Sequence, residues 1–403
     1  MDTIRILSTN YSGQSANITF SPATGGTEVI SGITIPYDFT DDFVFGDYSV
    51  FFTAYGNTCP LNVPVPDPVL SQTGATQYEN VVLSASSVLD GGTYIWTLTD
   101  FYSTGDTQIS SYTGQTLIEG YFTSTGNTNV RLDVVLGSAT ATTTDFSVSA
   151  FAPTDVSGLV SWYDMAEVST ITFRTGTTYI EQIDDKSGND YHLTNSTATN
   201  QPLYSASTLN GSYSAATFNG IDNWITADRG TTDTISAQTY FVMSNAKDKA
   251  GLPGVGTGNQ LDGKFLILGP SITTFNTDTP YISRDNSGSD YNLKTFGDFY
   301  YTPVSNFSGE TYYAYAANTN DSLGITNYAV NGETTGFTQT TGSTTYDWRY
   351  TRLGGNLHNY NDFVQKAYGE VGEVLIYDTD LPITNINIID RYLQYKWFGS
   401  KQY

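Results

Sequence analysis

Cysteine, histidine and basic residues are all scarce in this sequence of 403 residues. The single cysteine, Cys59, excludes an intrachain disulfide, and with it the small disulfide-stapled folds of many secreted modules. Two histidines, His192 and His358, and the lack of any G-x-S-x-G elbow leave little material for acid–base or nucleophilic catalysis. No catalytic residue is expected. Lys and Arg number 16 against 40 Asp and Glu, a formal net charge of −24. Such a chain repels phosphate backbones, so nucleic-acid binding is excluded as a default. No apolar stretch nears the roughly 18 residues of a membrane helix, so membrane insertion is not expected. The start, Met1-Asp2-Thr3-Ile4-Arg5-Ile6-Leu7, has no long apolar region, and no signal peptide is expected there. Heptads and helical repeats are missing too, which leaves no coiled-coil shaft.

What the chain does have is aromatic and small polar residues. Charged residues make up 14%, against about 25% in an ordinary soluble domain. The 31 Tyr, 21 Phe and 38 Gly imply a surface of Thr, Ser, Asn, Gly and Tyr. A hydrophobic share of 38% suffices for packed cores and argues against disorder. The length suggests two to four domains. This surface suits work outside cells, whereas the lone cysteine and the N-terminus suit synthesis in a cytoplasm. A particle assembled in the cytoplasm and released by lysis satisfies both.

Strand signals dominate. Tyr94, Trp96 and Leu98 alternate with Ile95, Thr97 and Thr99, and Val130, Leu132, Val134 and Leu136 with Asn129, Arg131 and Asp133. A period of two marks half-buried strands. Asn331-Gly332, after Tyr328-Ala329-Val330, is a type I′ hairpin signal. Val63-Pro64-Val65-Pro66-Asp67-Pro68 reads as a stiff linker, and the texture changes again after Phe151-Ala152-Pro153. The expected division is residues 1–63, 64–152 and 153–403. The class is all-β: two small N-terminal β-sandwich modules, the second immunoglobulin-like without its cysteines, then a larger sandwich. One helix is predicted, at the C-terminus. Ile386, Ile389, Leu393 and Trp397 share a face, Thr384 or Asn385 caps the start, and Gly399 ends it.

Five ordered motifs in the third segment carry a resemblance. They are Gly158-Leu159-Val160-Ser161-Trp162-Tyr163-Asp164, Asp184-Asp185-Lys186-Ser187-Gly188-Asn189-Asp190, Thr217-Phe218-Asn219-Gly220, Gly369-Glu370-Val371-Gly372-Glu373-Val374-Leu375-Ile376-Tyr377, and Arg391-Tyr392-Leu393-Gln394-Tyr395-Lys396-Trp397. With them the segment resembles the laminin-G-like, concanavalin-A-like jelly-roll modules of tailed-phage structural proteins. The first segment, from Ser12-Gly13-Gln14 through Ile35-Pro36-Tyr37 and Phe45-Gly46-Asp47-Tyr48 to Thr58-Cys59, is similar to modules of marine-phage virion proteins. The resemblance implies a non-enzymatic head fibre, tail fibre or capsid decoration on the virion surface. Its N-terminal module would bind other virion proteins, the chain would form a homo-oligomer such as a trimer, and the jelly roll would engage a host-surface glycan. The alternatives are a polysaccharide depolymerase and a bacterial surface adhesin.

Three sets of side chains bear on chemistry. Asp184, Asp185, Ser187 and Asn189 offer several oxygens in a short loop, which suits either a calcium ion or Asx-type turns. Trp224, and Trp348 with Tyr346 and Tyr350, are candidate glycan-stacking platforms or else core. Glu370 and Glu373 stand three apart, which on a regular strand puts them on opposite faces and argues against a glycosidase pair. One is expected to be solvated, the other bound to local backbone.

Overall fold

The computed structural model describes residues 2–6, 15–22, 28–34, 37–41, 48–54, 57–61, 68–85, 92–114, 117–127, 129–136, 139–144, 146–209, 212–235, 237–247, 263–269, 281–284, 312–320, 325–330, 346–355 and 366–400. The Val63–Asp67 part of the linker, Asn331-Gly332 and His358 lie outside them. By its contacts the chain divides into two compact units, Met1–Phe151 and Ala152–Tyr403.

The first unit opens with β1 (Asp2–Ile6), β2 (Ser15–Pro22), β3 (Glu28–Thr34), β4 (Tyr37–Asp41), β5 (Tyr48–Ala54) and β6 (Asn57–Leu61). β1 pairs with β4, and a four-stranded sheet runs β3-β2-β5-β6. Cys59 lies on β6 opposite Phe52. Next come β7 (Gly74–Thr76), β8 (Val81–Ser84), β9 (Thr93–Ser103), β10 (Gln108–Thr113), β11 (Leu117–Phe122), β12 (Val130–Leu136), β13 (Ala139–Thr143) and β14 (Ser147–Ser149). The sheet order is β13-β12-β9-β11-β8, with β10 also on β9 and β14 parallel to β7. Long β9 turns at Asp100, whose φ is 51°, so its first half serves β12 and its end serves β11. The period-two reading holds here: Tyr94, Trp96 and Leu98 are buried beside Val130, Leu132 and Val134.

The second unit contains β15 (Leu159–Asp164), β16 (Ile171–Phe173), β17 (Ile180–Ile183), β18 (Leu193–Thr194), β19 (Leu203–Leu209), β20 (Tyr213–Asn219), β21 (Ile225–Ile235), β22 (Ala237–Ala246), β23 (Gly263–Gly269), β24 (Tyr281–Arg284), β25 (Tyr312–Asn320), β26 (Ile325–Val330), β27 (Tyr346–Leu353), β28 (Tyr368–Tyr377) and helix α1 (Ile383–Phe398). One seven-stranded sheet runs β19-β20-β28-β22-β25-β26 with β15 on β28; the other runs β16-β17-β18-β21-β27-β23-β24. All these pairs are antiparallel. Val160, Phe218, Tyr240, Val371, Val374 and Ile376 of the first sheet share a core with Ile180, Leu193, Ile225, Leu266 and Leu353 of the second. The all-β class with a short C-terminal helix therefore holds, α1 being the one α-helix among the described residues. At the core's edge Gly354, with φ 84°, admits the Phe218 ring, since an added Cβ would fall 2.0 Å from it.

Helix α1 buries Ile386, Ile389, Leu393 and Trp397, the expected face, and ends at Gly399 in the left-handed conformation. Its start is corrected. Neither Thr384 nor Asn385 caps it; Pro382 does, its carbonyl accepting from the backbone N–H groups of Asn385 and Ile386. Proline at φ −62° is already set for the entry.

The helix is held by a buried carboxylate. Glu373 of β28 is fully buried. Its Oε1 accepts from Trp162 Nε1 at 2.8 Å and Tyr392 OH at 2.9 Å; its Oε2 accepts from Lys396 Nζ at 2.8 Å and Trp397 Nε1 at 2.7 Å. Lys396 also reaches Asp164 Oδ2 at 2.8 Å, Lys186 reaches the same oxygen at 3.1 Å, and Lys186 pairs with Glu167 at 2.7 Å. Glu370 is buried as well, between Lys247 Nζ at 2.7 Å and Asn245 Nδ2 at 2.9 Å. The two glutamates therefore share a face, contrary to the regular-strand expectation, and neither is solvated. A bulge is the reason. β28 slips against β22 between Met243 and Ser244, so Glu373 lies opposite Met243, Glu370 opposite Asn245, and the extra residue is Gly372.

Two predictions follow from this network. Glu373→Ala takes the acceptor from two buried indole N–H groups and two half-buried donors and should cost about 3–5 kcal/mol, read as a fall in urea midpoint. The pH response has two limbs. Burial pushes the Asp164 carboxyl up, but Lys396 and Lys186 outweigh it and hold the carboxyl below its usual value. That stabilisation is complete above the unfolded value of about 3.9 and is lost as pH falls through the folded one. Burial pushes the Lys396 ammonium down, but Glu373 and Asp164 more than offset this and raise it. Its contribution is complete below about 10.4 and is lost as pH climbs through the raised value. Denaturation midpoints across pH should thus show a plateau with an acid and an alkaline limb, and Asp164→Asn should flatten the acid limb.

Candidate functional site

The outward face of the second sheet carries a polar row. Ile183, Leu193, Ile225, Ala227 and Leu353 point into the core. Their strand neighbours point the other way. Register then aligns five of them: Thr172 lies opposite Gln182, Gln182 opposite Thr194, Thr194 opposite Thr226, and Thr226 opposite Arg352. Adjacent strands lie about 4.8 Å apart, so the four steps span roughly 19 Å.

All five residues line one open pocket of about 500 Å³, together with Glu181, Asn195, Ser196, Trp224 and Asp228. Arg352 forms its floor. The guanidinium lies over the Trp224 ring, 4.2 Å from its centroid, and Nε donates to Thr226 Oγ1 at 2.9 Å. Burial pushes the Arg352 pKa down to about 10, so it remains a cation at neutral pH. Asp228 is held ionised: hydrogen bonds from Arg349 at 2.8 and 2.9 Å outweigh its partial burial and lower its pKa. Trp224 is fixed through its backbone, which donates to Asn200 O and accepts from Asn195 Nδ2. The result is a polar trough with one aromatic wall, in which Asp228 is paired with Arg349 and Glu181 adds a second carboxylate. Such a lining presents hydroxyl, amide and carboxylate partners to a polyhydroxylated ligand.

The aromatic candidates divide. Trp224 lines the pocket, half-exposed. Trp348 is corrected: it is fully buried, its ring lies 4.0 Å from the Arg229 guanidinium, and its indole N–H donates to Thr351 Oγ1. It cannot stack on a ligand. Tyr350 is half-buried beside Arg349, 5.0 Å from ring centroid to guanidinium, and does not line the pocket. Tyr346 lies on β27 opposite Ile235, but its side chain is outside the described residues. Arg352, Gln182 and the three threonines were not singled out from the sequence, because only register assembles them.

The acidic loop is a turn. Asp185 Oδ1 accepts from the backbone N–H groups of Trp162 at 2.8 Å and Ser187 at 2.9 Å. Its Oδ2 lies 2.8 Å from Ser187 Oγ and accepts from Tyr191 N at 3.1 Å. Asn189 turns its amide nitrogen, not its oxygen, toward Val160 O and Ser187 Oγ. Asp184 Oδ1 instead accepts from Gln182 Nε2 at 2.7 Å. His192 Nδ1 accepts from Asp185 N at 3.0 Å and so belongs to the same bracket. The bonds tie the loop to β15, and among the described residues no three His, Cys, Asp or Glu side chains converge as a metal site.

No protein-family model matches the chain, and no curated protein does either. Solved structures show distant likeness. A Trypanosoma rangeli sialidase in complex with sialic acid is 8% identical, with a TM-score of 0.40, over 94% of this chain and 77% of that one. An arabinofuranosidase complexed with arabinofuranosyl-alpha-1,2-xylobiose is 14% identical at a TM-score of 0.36; it covers 53% of this chain, which spans 51% of its length. Domain 4 of an extracellular arabinanase from Geobacillus stearothermophilus, in complex with arabinotriose, is 13% identical at 0.33, over 58% and 97%. Likenesses of this degree carry no weight for function, and the architecture stands on the strand pairing above.

The turn bonds generate a prediction. Because N–H donors engage both Asp185 oxygens, millimolar calcium should leave the thermal midpoint unchanged, whereas a site filled at a hundred times its Kd would add about 2.7 kcal/mol. Asp185→Ala should lower the midpoint with or without the ion.

Proposed function

We propose that the second unit is a carbohydrate-binding module, with Trp224 and the row Thr172, Gln182, Thr194, Thr226 and Arg352 as its binding face. The single observation that carries this reading is the row itself. Five polar side chains stand in direct register across five strands, with an aromatic wall locked beside them by Arg352. Sugar rings offer an apolar face to an aromatic side chain and hydroxyls to fixed donors and acceptors, so this combination matches them.

Binding rather than hydrolysis is favoured by what the carboxylates are doing. Asp228 is paired with Arg349, and Glu370 and Glu373 are buried among structural partners, which leaves Glu181 as one carboxylate in the pocket where a glycosidase uses two. As to setting, the net charge of −24, the lone cysteine and the serial β modules support display on a tailed-phage particle. In this reading the N-terminal strands meet other virion proteins, the chain works as an oligomer, and the second unit faces a host-surface glycan.

Trp224→Ala should reduce retention on an immobilised polysaccharide by about 30-fold, the roughly 2 kcal/mol of a central aromatic anchor. Circular dichroism should remain native, because the ring stands outside the core. Equal retention of variant and parent would refute this face as the binding site. Immunogold labelling of purified particles checks the setting; unlabelled particles would remove the virion role and leave the binding face standing.

A further inference from the structure

A second pocket adjoins the first. It measures about 470 Å³ and is lined by Arg174, Tyr179, Ala198, Thr199, Asp222 and Asn223 among others. The two pockets are offset along the same four chain segments. Thr172, Glu181, Ser196 and Trp224 line the first, while Arg174, Tyr179, Ala198 and Asn223 line the second. On three segments the offset is two residues; on the fourth it is one.

The partition between them is stiff. Asn195 Nδ2 donates to Asn200 O at 3.1 Å, Gln201 Nε2 to Asn195 O at 2.7 Å, and Asn223 Nδ2 to Gln201 O at 2.9 Å. Trp224 N closes the bracket on Asn200 O at 2.9 Å. Asn195, Gln201 and Asn223 are all buried, so the wall is a hydrogen-bonded block rather than a loose loop.

Across that wall stands an exposed aromatic. Tyr179 keeps 38% of its surface open, although large apolar side chains of this unit are mostly buried. Its backbone is pinned where Arg174 N donates to Tyr179 O at 2.9 Å, and its ring lies 4.7 Å from the Arg174 guanidinium. Arg174 in turn donates to Ala198 O at 2.6 Å. Trp224 and Tyr179 are therefore each backed by an arginine, and each stands at the rim of its own polar pocket.

Charge decides the ligand class. The first pocket carries Glu181 and Asp228, and the second Asp222, on a chain of net charge −24. The cations nearby already have partners: Arg352 on Thr226, Arg349 on Asp228, Arg174 on Ala198. Arg352 and Arg174 keep their charge on neutral oxygen partners but do not outnumber the carboxylates lining the pockets, so a polyanion meets the repulsion of the whole chain with no excess of positive charge there to offset it.

We infer that the Tyr179–Arg174 pocket is a second contact for the same ligand, and that this ligand is an uncharged polysaccharide long enough to lie across both pockets. The inference rests on the carbohydrate-binding reading above.

Affinity electrophoresis of the full chain tests it, with dextran, galactomannan, xylan and arabinan as uncharged probes and alginate and polygalacturonate as charged ones. The parent chain should be retarded by at least one uncharged polymer and by neither polyuronate. Tyr179→Ala should weaken that retardation about fivefold, the scale of one edge aromatic contact. Short oligosaccharides cut from the same polymer and titrated by calorimetry should bind parent and Tyr179→Ala within about twofold, since they fill the first pocket alone. Arg174→Ala gives a second variant that leaves the ring in place. If Trp224→Ala abolishes retardation while both second-pocket variants match the parent, the second contact is overturned and the first face stands. Retardation by the polyuronates overturns the uncharged class. No retardation by any polymer overturns the carbohydrate reading, and this inference with it.

Discussion

One buried carboxylate organises the second unit. Glu373 sits in the central region of its sheet and accepts four hydrogen bonds, one from Trp162 of β15 and three from Tyr392, Lys396 and Trp397 of α1. An ionised group fully out of water is tolerable only when its lone pairs are all engaged. That requirement fixes β15 against β28 and the helix against both. Asp164 and Lys186 extend the pattern, so that three carboxylates and two ammonium groups alternate from the sheet interior to the surface at Glu167. Lys186 also lies over the Trp162 ring, 3.9 Å from its centroid, which links the acidic loop to the same cluster.

This explains what the five sequence motifs share. Trp162 and Asp164 come from the first, Asp185 and Lys186 from the second, Phe218 from the third, Glu373 from the fourth, and Tyr392, Lys396 and Trp397 from the last. All but Phe218 meet around one buried ion cluster or its bracket, while Phe218 fills the core. They are instructions for closing the sandwich. The polar row proposed as the ligand face lies on the other sheet and uses none of these residues, whereas Thr217 and Asn219 of the third motif line the second pocket.

Legibility followed the distance over which each feature is decided. The alternation of Tyr94, Trp96 and Leu98 and the helical face of Ile386, Ile389, Leu393 and Trp397 depend on local period alone, and both were readable. The facing of Glu370 and Glu373 was not, because a bulge is defined by the partner strand, and Met243 and Ser244 of β22 set it. Trp348 and Trp224 look alike in sequence, each beside polar residues. Arg229 and Thr351 enclose one, whereas Arg352 backs the other and leaves it at a rim. The polar row was half legible. Thr172, Gln182, Thr194 and Thr226 each adjoin an apolar core residue, which hints at their facing, but alignment across strands is information no single segment holds.

The pairing of β15 with β28 joins the opening of the unit to its close, with Trp162 and Glu373 211 positions apart. Contacts of such sequence separation carry a large loop-closure entropy before any of them gains free energy. On the ribosome the opening strand emerges long before its neighbour exists, and at 5–20 residues per second it waits roughly ten to forty seconds. During that interval its edge is open to other chains. A barrier of this kind also works in reverse: once the ends have met, separating them requires breaking the ion cluster and the sheet centre together, which gives the folded unit a long lifetime against unfolding.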